Sequence, residues 1–123
     1  MTWHFENDRP IYTQLLDQIR LRIISGIYAA GSRLPSVREL AADASVNPNT
    51  MQKALSELEQ SGIIYSQRTS GRFVTEDTAM IEHVIEEIAE EKIKEFFKVM
   101  NSLGLKPGDT LKLVEKAAKE MSQ

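Results

Sequence analysis

The sequence predicts a mainly α protein with one small β-hairpin: three short helices, the hairpin, then a long helix and a final shorter one. Three observations predict it. Two helix starts, Ser36 with Glu39 and Asn47 with Pro48, flank a tight turn at Ala44-Ser45-Val46. A β-branched and aromatic run over residues 63–67 is followed by Arg68-Thr69-Ser70-Gly71 and a return run, Arg72-Phe73-Val74. From Asp77 to about Leu103 apolar residues then recur at helical spacing without a break.

Residues 1–8 are polar apart from Trp3 and Phe5, and read as an arm that packs those two rings against the fold. Asp8 and Pro10 supply cap and first-turn signals for the first helix. Ile11, Leu15, Ile19 and Ile23 form its stripe, widened by Leu16 and Ile24, and it ends near Ser25-Gly26. Ser36 and Glu39 make a capping box, in which the hydroxyl accepts a free amide and the carboxylate reaches back. The second helix then runs to Asp43 or Ala44, with Val37, Leu40 and Ala41 inward. Asn47 caps the third helix, and Pro48 at its first position loses no amide bond. Met51, Ala54, Leu55 and Leu58 give it a buried face, and Gly62 closes it. Two capped helices joined by a tight turn form a helix-turn-helix, whose second helix usually enters the DNA major groove. With the hairpin following, the pattern is a winged helix-turn-helix over residues 1–75.

The solvent side fits that reading. Asn47, Asn49, Thr50 and Lys53 are displayed early on the third helix, and Arg38 lies beside the start of the second. Asn suits adenine edges, Arg suits guanine, and Lys or a helix N-terminus suits phosphate. Arg68, at the hairpin tip, is placed for the minor groove or a phosphate, with Arg72 a weaker candidate. The net charge of −3 is unevenly spread. Residues 1–74 carry eight basic and seven acidic side chains, while the remainder carries seven Lys against eleven Asp or Glu. A nucleic-acid footprint needs a basic face, not a basic protein.

Residues 76–123 read as a two-helix dimerisation tail. The long helix carries Ile81, Val84, Ile85, Ile88, Ile93, Phe96, Phe97 and Met100 on its apolar side and ends at Gly104. The last helix starts near Pro107 and carries Leu111 and Val114. Two helices cannot enclose a core alone, so burial against a second copy, a homodimer, is the expected solution.

Residues 9–74 resemble the GntR family of bacterial transcription regulators. The resemblance is carried by Arg9-Pro10-Ile11-Tyr12-Thr13-Gln14-Leu15, by residues 31–41 (Gly-Ser-Arg-Leu-Pro-Ser-Val-Arg-Glu-Leu-Ala), by Val46-Asn47-Pro48-Asn49-Thr50, and by Gly71-Arg72-Phe73-Val74. The short tail looks like the YtrA subfamily. The resemblance implies a dimer on a two-fold operator of double-stranded DNA, repressing its own operon, with transporter genes often adjacent. By position, Arg33 and Ser36 look like phosphate contacts and Arg38 like a base contact. Val37 falls within the same matched segment, Asn47, Asn49, Thr50 and Lys53 match recognition-helix positions, and Gly71 shapes the wing. One departure is Thr69, where the family commonly has glycine; its side chain restricts positive φ there.

Other function classes have little support. The absence of cysteine excludes a disulfide framework and a thiolate site. His83 with Glu86 and Glu87 reads as a solvated helix face, and His4 has no partner in reach by sequence, so no metal and no cofactor are expected. No nucleophile triad, phosphate loop or motif-spaced carboxylate pair marks an enzyme. No signal peptide or membrane span is visible, and a cytoplasmic protein is expected. Two alternatives stay open. A small-molecule effector could use a crevice lined by Phe96, Phe97 and Met100, or the chain could be a non-catalytic interaction module.

Overall fold

A computed structural model describes residues 2–123. The order is α1 (Ile11–Ile24), α2 (Val37–Ala44), α3 (Pro48–Ser61), β1 (Ile64–Gln67), β2 (Gly71–Val74), α4 (Thr78–Ser102) and α5 (Pro107–Met121). The chain divides into two units, Met1–Val84 and Ile85–Gln123, and the division falls inside α4.

In the first unit the signals of α2 and α3 act as their chemistry requires, whereas α1 starts at Ile11 with Pro10 itself in the cap position and no side-chain cap, so Asp8 does not serve as its cap. The Ser36 hydroxyl accepts from the Glu39 amide at 3.1 Å, and the Glu39 carboxylate accepts from the Ser36 amide at 3.4 Å. The Asn47 side chain accepts from the Asn49 amide at 2.8 Å, with Pro48 opening α3. Between the helices Ser45 takes a left-handed conformation (φ 57°), and the Val46 amide returns to the Ala41 carbonyl at 3.0 Å. That backward bond satisfies a carbonyl left over at the end of α2 and makes the turn tight.

Leu15, Ile19 and Ile23 of α1 meet Leu40, Ala41 and Ala44 of α2 and Met51, Ala54, Leu55 and Leu58 of α3 in one buried cluster. Ile64 and Val74, cross-strand partners in the antiparallel hairpin, close it from the sheet side. Tyr65 and Phe73, the next pair, stack with centroids 5.8 Å apart. The segment before α2 adds to the sheet: Leu34 N–H donates to the Arg72 carbonyl, and Val74 N–H to that of Ser32, both at 2.9 Å. Ile11, expected in the α1 stripe, is instead 38% exposed.

The arm packs as expected, with Trp3 and Phe5 against the cluster, but its anchors are polar. Gln14, 2% exposed, accepts from the Glu6 amide and donates to the Glu6 and Arg9 carbonyls. Gln18, one turn on, bonds both backbone groups of His4. The Arg22 guanidinium lies 3.8 Å from the Trp3 ring centre, and the Trp3 indole donates to Asp43 of α2 at 2.8 Å.

The sequence places the end of the winged domain at residue 75 and puts Ile81 and Val84 in a dimer contact. Both residues instead pack against the core cluster of the first unit, and the unit extends to Val84. The cause is spacing: Ile81 and Val84 lie on one face in the first turns of α4, at the i, i+3 interval.

In the second unit the helix signals hold. Gly104 (φ 89°) ends α4, where the Leu105 amide bonds the Met100 carbonyl and the Gly104 amide that of Asn101. Burial differs from the first unit. Ile93, Phe96, Val99, Leu103, Leu111 and Val114 are all exposed, Ile88, Phe97 and Met100 are half-buried, and Thr110 is fully buried.

Candidate nucleic-acid interface

The site builds up from two helix starts and a hairpin. The N-termini of α2 and α3 carry partial positive charge, which favours anions; at α3 Pro48 has no N–H and the Asn49, Thr50 and Met51 amides are all bonded to Asn47. On α2, Arg38 is exposed and makes no hydrogen bond or ion pair with a described residue. Its guanidinium is therefore available for bidentate bonds. Val37 is half-buried against the core, which leaves its backbone amide as the polar group it can offer. The Ser36 oxygen is engaged by the cap, yet its O–H still has a proton to donate.

Arg33 and Gly71 are brought together. A Cβ at Gly71 would stand 3.1 Å from the Arg33 Nε, and Gly71 has φ +100°. The positive φ is the demand that favours glycine, and the absence of a side chain leaves room for Arg33 beside the wing. Arg33 also bridges Phe73 through the backbone. An open cleft of about 440 Å³ runs between the start of α2 and the wing. Its walls include Arg33, Ser36 and Val37 on one side and Ser66, Gln67 and Gly71 on the other.

On α3, Asn47 and Asn49 are exposed and Thr50 is half-buried. Asn47 spends its side-chain oxygen on the cap and keeps its amide donors. Lys53 is exposed, with its ammonium 3.7 Å from the centre of the Tyr12 ring of α1. Gln52, on the same outward face, is a polar residue that the sequence reading passed over; its position three residues after Asn49 was the available signal.

The wing differs from expectation in two places. Arg68 is exposed at the tip, as expected. Arg72 is not a free cation: its Nε donates to Glu59 of α3, which also accepts from the Ser66 hydroxyl. Ser66 and Arg72 are cross-strand partners, so one carboxylate ties both strands to α3. The Ser66 hydrogen bond, with help from Arg72 and against burial, holds the Glu59 carboxyl below its ordinary value of 4.5. Thr69, which lacks glycine's freedom, nonetheless sits at φ 69°. That is an uncommon conformation for a β-branched side chain.

Among the described residues no group of three or more His, Asp or Glu side chains is placed to hold a metal ion. No helix among them is long and apolar enough to cross a membrane.

A helix-turn-helix with free Arg and Asn side chains at its helix starts, flanked by a cationic hairpin, defines a winged DNA-binding protein. The chain belongs to the gntR family of bacterial regulatory proteins, whose signature it matches over residues 11–74, and is a DNA-binding transcriptional regulator. It is 39% identical over 101 residues to the HTH-type regulator YhcF of Bacillus subtilis, covering 82% of this chain and 84% of that one. It is 42% identical over 84 residues to the HTH-type transcriptional repressor YtrA of the same organism, covering 67% and 65%. A GntR-family regulator from Listeria monocytogenes superposes with a TM-score of 0.83 at 40% identity, over 91% of this chain and 98% of that one. The DNA-binding domain of AraR, solved in complex with operator ORX1, superposes with a TM-score of 0.54 at 27% identity, over 58% and 93%. The family is one of regulators, not enzymes.

Proposed function

We propose that the chain is a repressor of its own operon that binds a two-fold operator as a homodimer. The observation that carries this reading is the co-location of Arg33, Ser36 and Gly71 around one cleft, on the same unit as the unpaired Arg38 and the exposed start of α3. The AraR domain, which was solved on an operator, supports DNA as the partner, and the repressor name of the Bacillus YtrA supports the direction of control.

Three groups of residues divide the work. Arg33, Ser36, the Val37 amide and the wing residues Arg68 and Gly71 meet the sugar–phosphate backbone and set the register. Arg38, Asn47, Asn49 and Thr50 read base edges in the major groove. Pairing of two copies through Ile85, Ile88, Ile93, Phe96, Phe97, Met100, Leu111 and Val114 presents two reading surfaces to two half-sites. Repression follows when the bound dimer excludes polymerase from an overlapping promoter.

The test is a titration of the protein against its own upstream duplex and a scrambled duplex at two salt concentrations. A preference of ~10³-fold or more for the upstream duplex is expected. Equal, weak binding to both overturns the reading. Within it, Arg38→Ala is expected to cost ~1–3 kcal/mol at one base position, whereas Arg33→Ala weakens all duplexes alike.

A further inference from the structure

Tyr12 lies on α1, outside the helix-turn-helix, yet its ring carries the ammonium of Lys53 from α3 at 3.7 Å from the ring centre. We infer that Tyr12 is a positioning residue of the DNA interface: it fixes the Lys53 charge at one edge of α3, where it serves phosphate and not a base edge. The inference rests on the DNA-binding reading above and assigns a role within it.

The argument starts from the side chain. A lysine on an exposed helix surface ordinarily samples many rotamers and loses that freedom when it binds. Attraction to the ring quadrupole restricts Lys53 before any ligand arrives. Only one side of an ammonium faces a ring, so N–H donors on the other side stay free for an anionic oxygen. Ring and phosphate can therefore hold the same charge at once. Direction matters as well. The stem reaches from α3 to the Tyr12 ring of α1, so the ammonium sits on the α1 side of α3. A compact point charge at that edge suits phosphate, because it lacks the planar fork that matches a guanine edge. Lys53 thereby joins the backbone-contacting set, although it stands on the recognition helix beside Asn49 and Thr50.

The experiment combines Tyr12→Phe, Tyr12→Leu, Lys53→Met and the double variant Tyr12→Leu/Lys53→Met. Each is titrated against the upstream duplex, single-base variants of it and a scrambled duplex across a salt series. Thermal melts check folding, and NMR of the free protein follows the Lys53 side-chain methylenes, which the ring shifts upfield. Tyr12→Phe keeps the ring face and is expected to match the parent protein. Tyr12→Leu is expected to abolish the upfield shift and weaken every duplex about two- to tenfold, the cost of ordering one long side chain. Lys53→Met, which leaves α1 untouched, is expected to weaken all duplexes alike and reduce the salt slope by about one. Adding Tyr12→Leu to it should do nothing more.

The inference is overturned if Tyr12→Leu loses the shift but binds as the parent does. It is equally overturned if the Tyr12→Leu loss persists without Lys53, or if either loss is confined to one base position. If the parent protein does not prefer its upstream duplex, the operator reading itself falls and takes this role with it. Should Tyr12→Leu fail to fold, Lys53→Met decides alone: a uniform loss with a reduced salt slope supports the phosphate role, and a base-selective loss ends it.

Discussion

In the first unit Leu15, Ile19, Met51 and Leu55 are at most 1% exposed, whereas in the second Ile93, Val99 and Leu103 are 54, 56 and 68% exposed. Both units are built from amphipathic helices with sound start and stop signals. The first has three helices and a hairpin, which supply enough faces to enclose one core. The second has the rest of α4 and one more helix, and its apolar faces have no third layer among the described residues. Periodicity therefore shows which side of a helix is apolar, but not whether this chain alone covers it. These exposed apolar side chains are the surface that the proposed pairing of two copies would cover.

The largest effect expected from this contrast is in the closed core. Leu55→Ala leaves a cavity among α1, α2 and α3 and is expected to destabilise the first unit by about 2–5 kcal/mol. Chemical denaturation at two protein concentrations checks it, since a loss inside a closed core does not depend on concentration.

The second unit is expected to respond in the opposite manner. Phe96→Glu removes an exposed aromatic from the proposed dimer face, and sedimentation should show dissociation with little change in the first unit's folding. A chain ending after Val84 is expected to be a folded monomer. A chain ending after Val74 loses Ile81 and Val84 from the core edge and should be less stable than that monomer. If the chain ending after Val84 remained a dimer, the assignment of the interface to the second unit would fail.

A smaller effect lies at the wing. Thr69 at φ 69° carries the cost of a left-handed conformation, about 1–2 kcal/mol for an ordinary residue. Thr69→Gly relieves that cost, while making the unfolded chain more flexible offsets part of the gain. A net stabilisation of up to ~1 kcal/mol is expected in thermal melts.

The smallest effect is a pH dependence. The folded state holds the Glu59 carboxyl below its ordinary value of 4.5, chiefly through Ser66. Its contribution is therefore present above that value and is lost as the pH falls through the lower folded value. Glu59→Gln should flatten the acid limb of the stability profile and loosen the wing, as read by hydrogen exchange at Ser66 and Arg72. An unchanged acid limb would show that Glu59 does not tie the hairpin to α3.

Much of the site was legible from local chemistry. The Ser36–Glu39 box and the Asn47 cap with Pro48 each act within a span of three residues or fewer, so the sequence alone places both helix starts. The exposed Arg38, Asn49 and Arg68 follow from helix phase and turn position. Arg72 was not legible, because its partner Glu59 lies 13 residues away on another element. Tyr12 and Lys53 were not, because no periodicity links α1 to α3. Gln14 and Gln18 read as ordinary polar helix residues until the arm passes over them.

What the sequence by itself determined is the order, the ends and the apolar side of each helix, together with the hairpin and the membership in a regulator family that its motifs carry. These rest on interactions within a turn or two of chain, where covalent geometry already brings the groups together. Only the tertiary structure decided which apolar faces are covered and which charges are spoken for. It carried the first unit into α4, put Arg72 on Glu59 and set Lys53 over Tyr12. Those outcomes depend on which distant surfaces meet, and a side chain's availability to a ligand is settled only after its nearer partners within the fold have been satisfied.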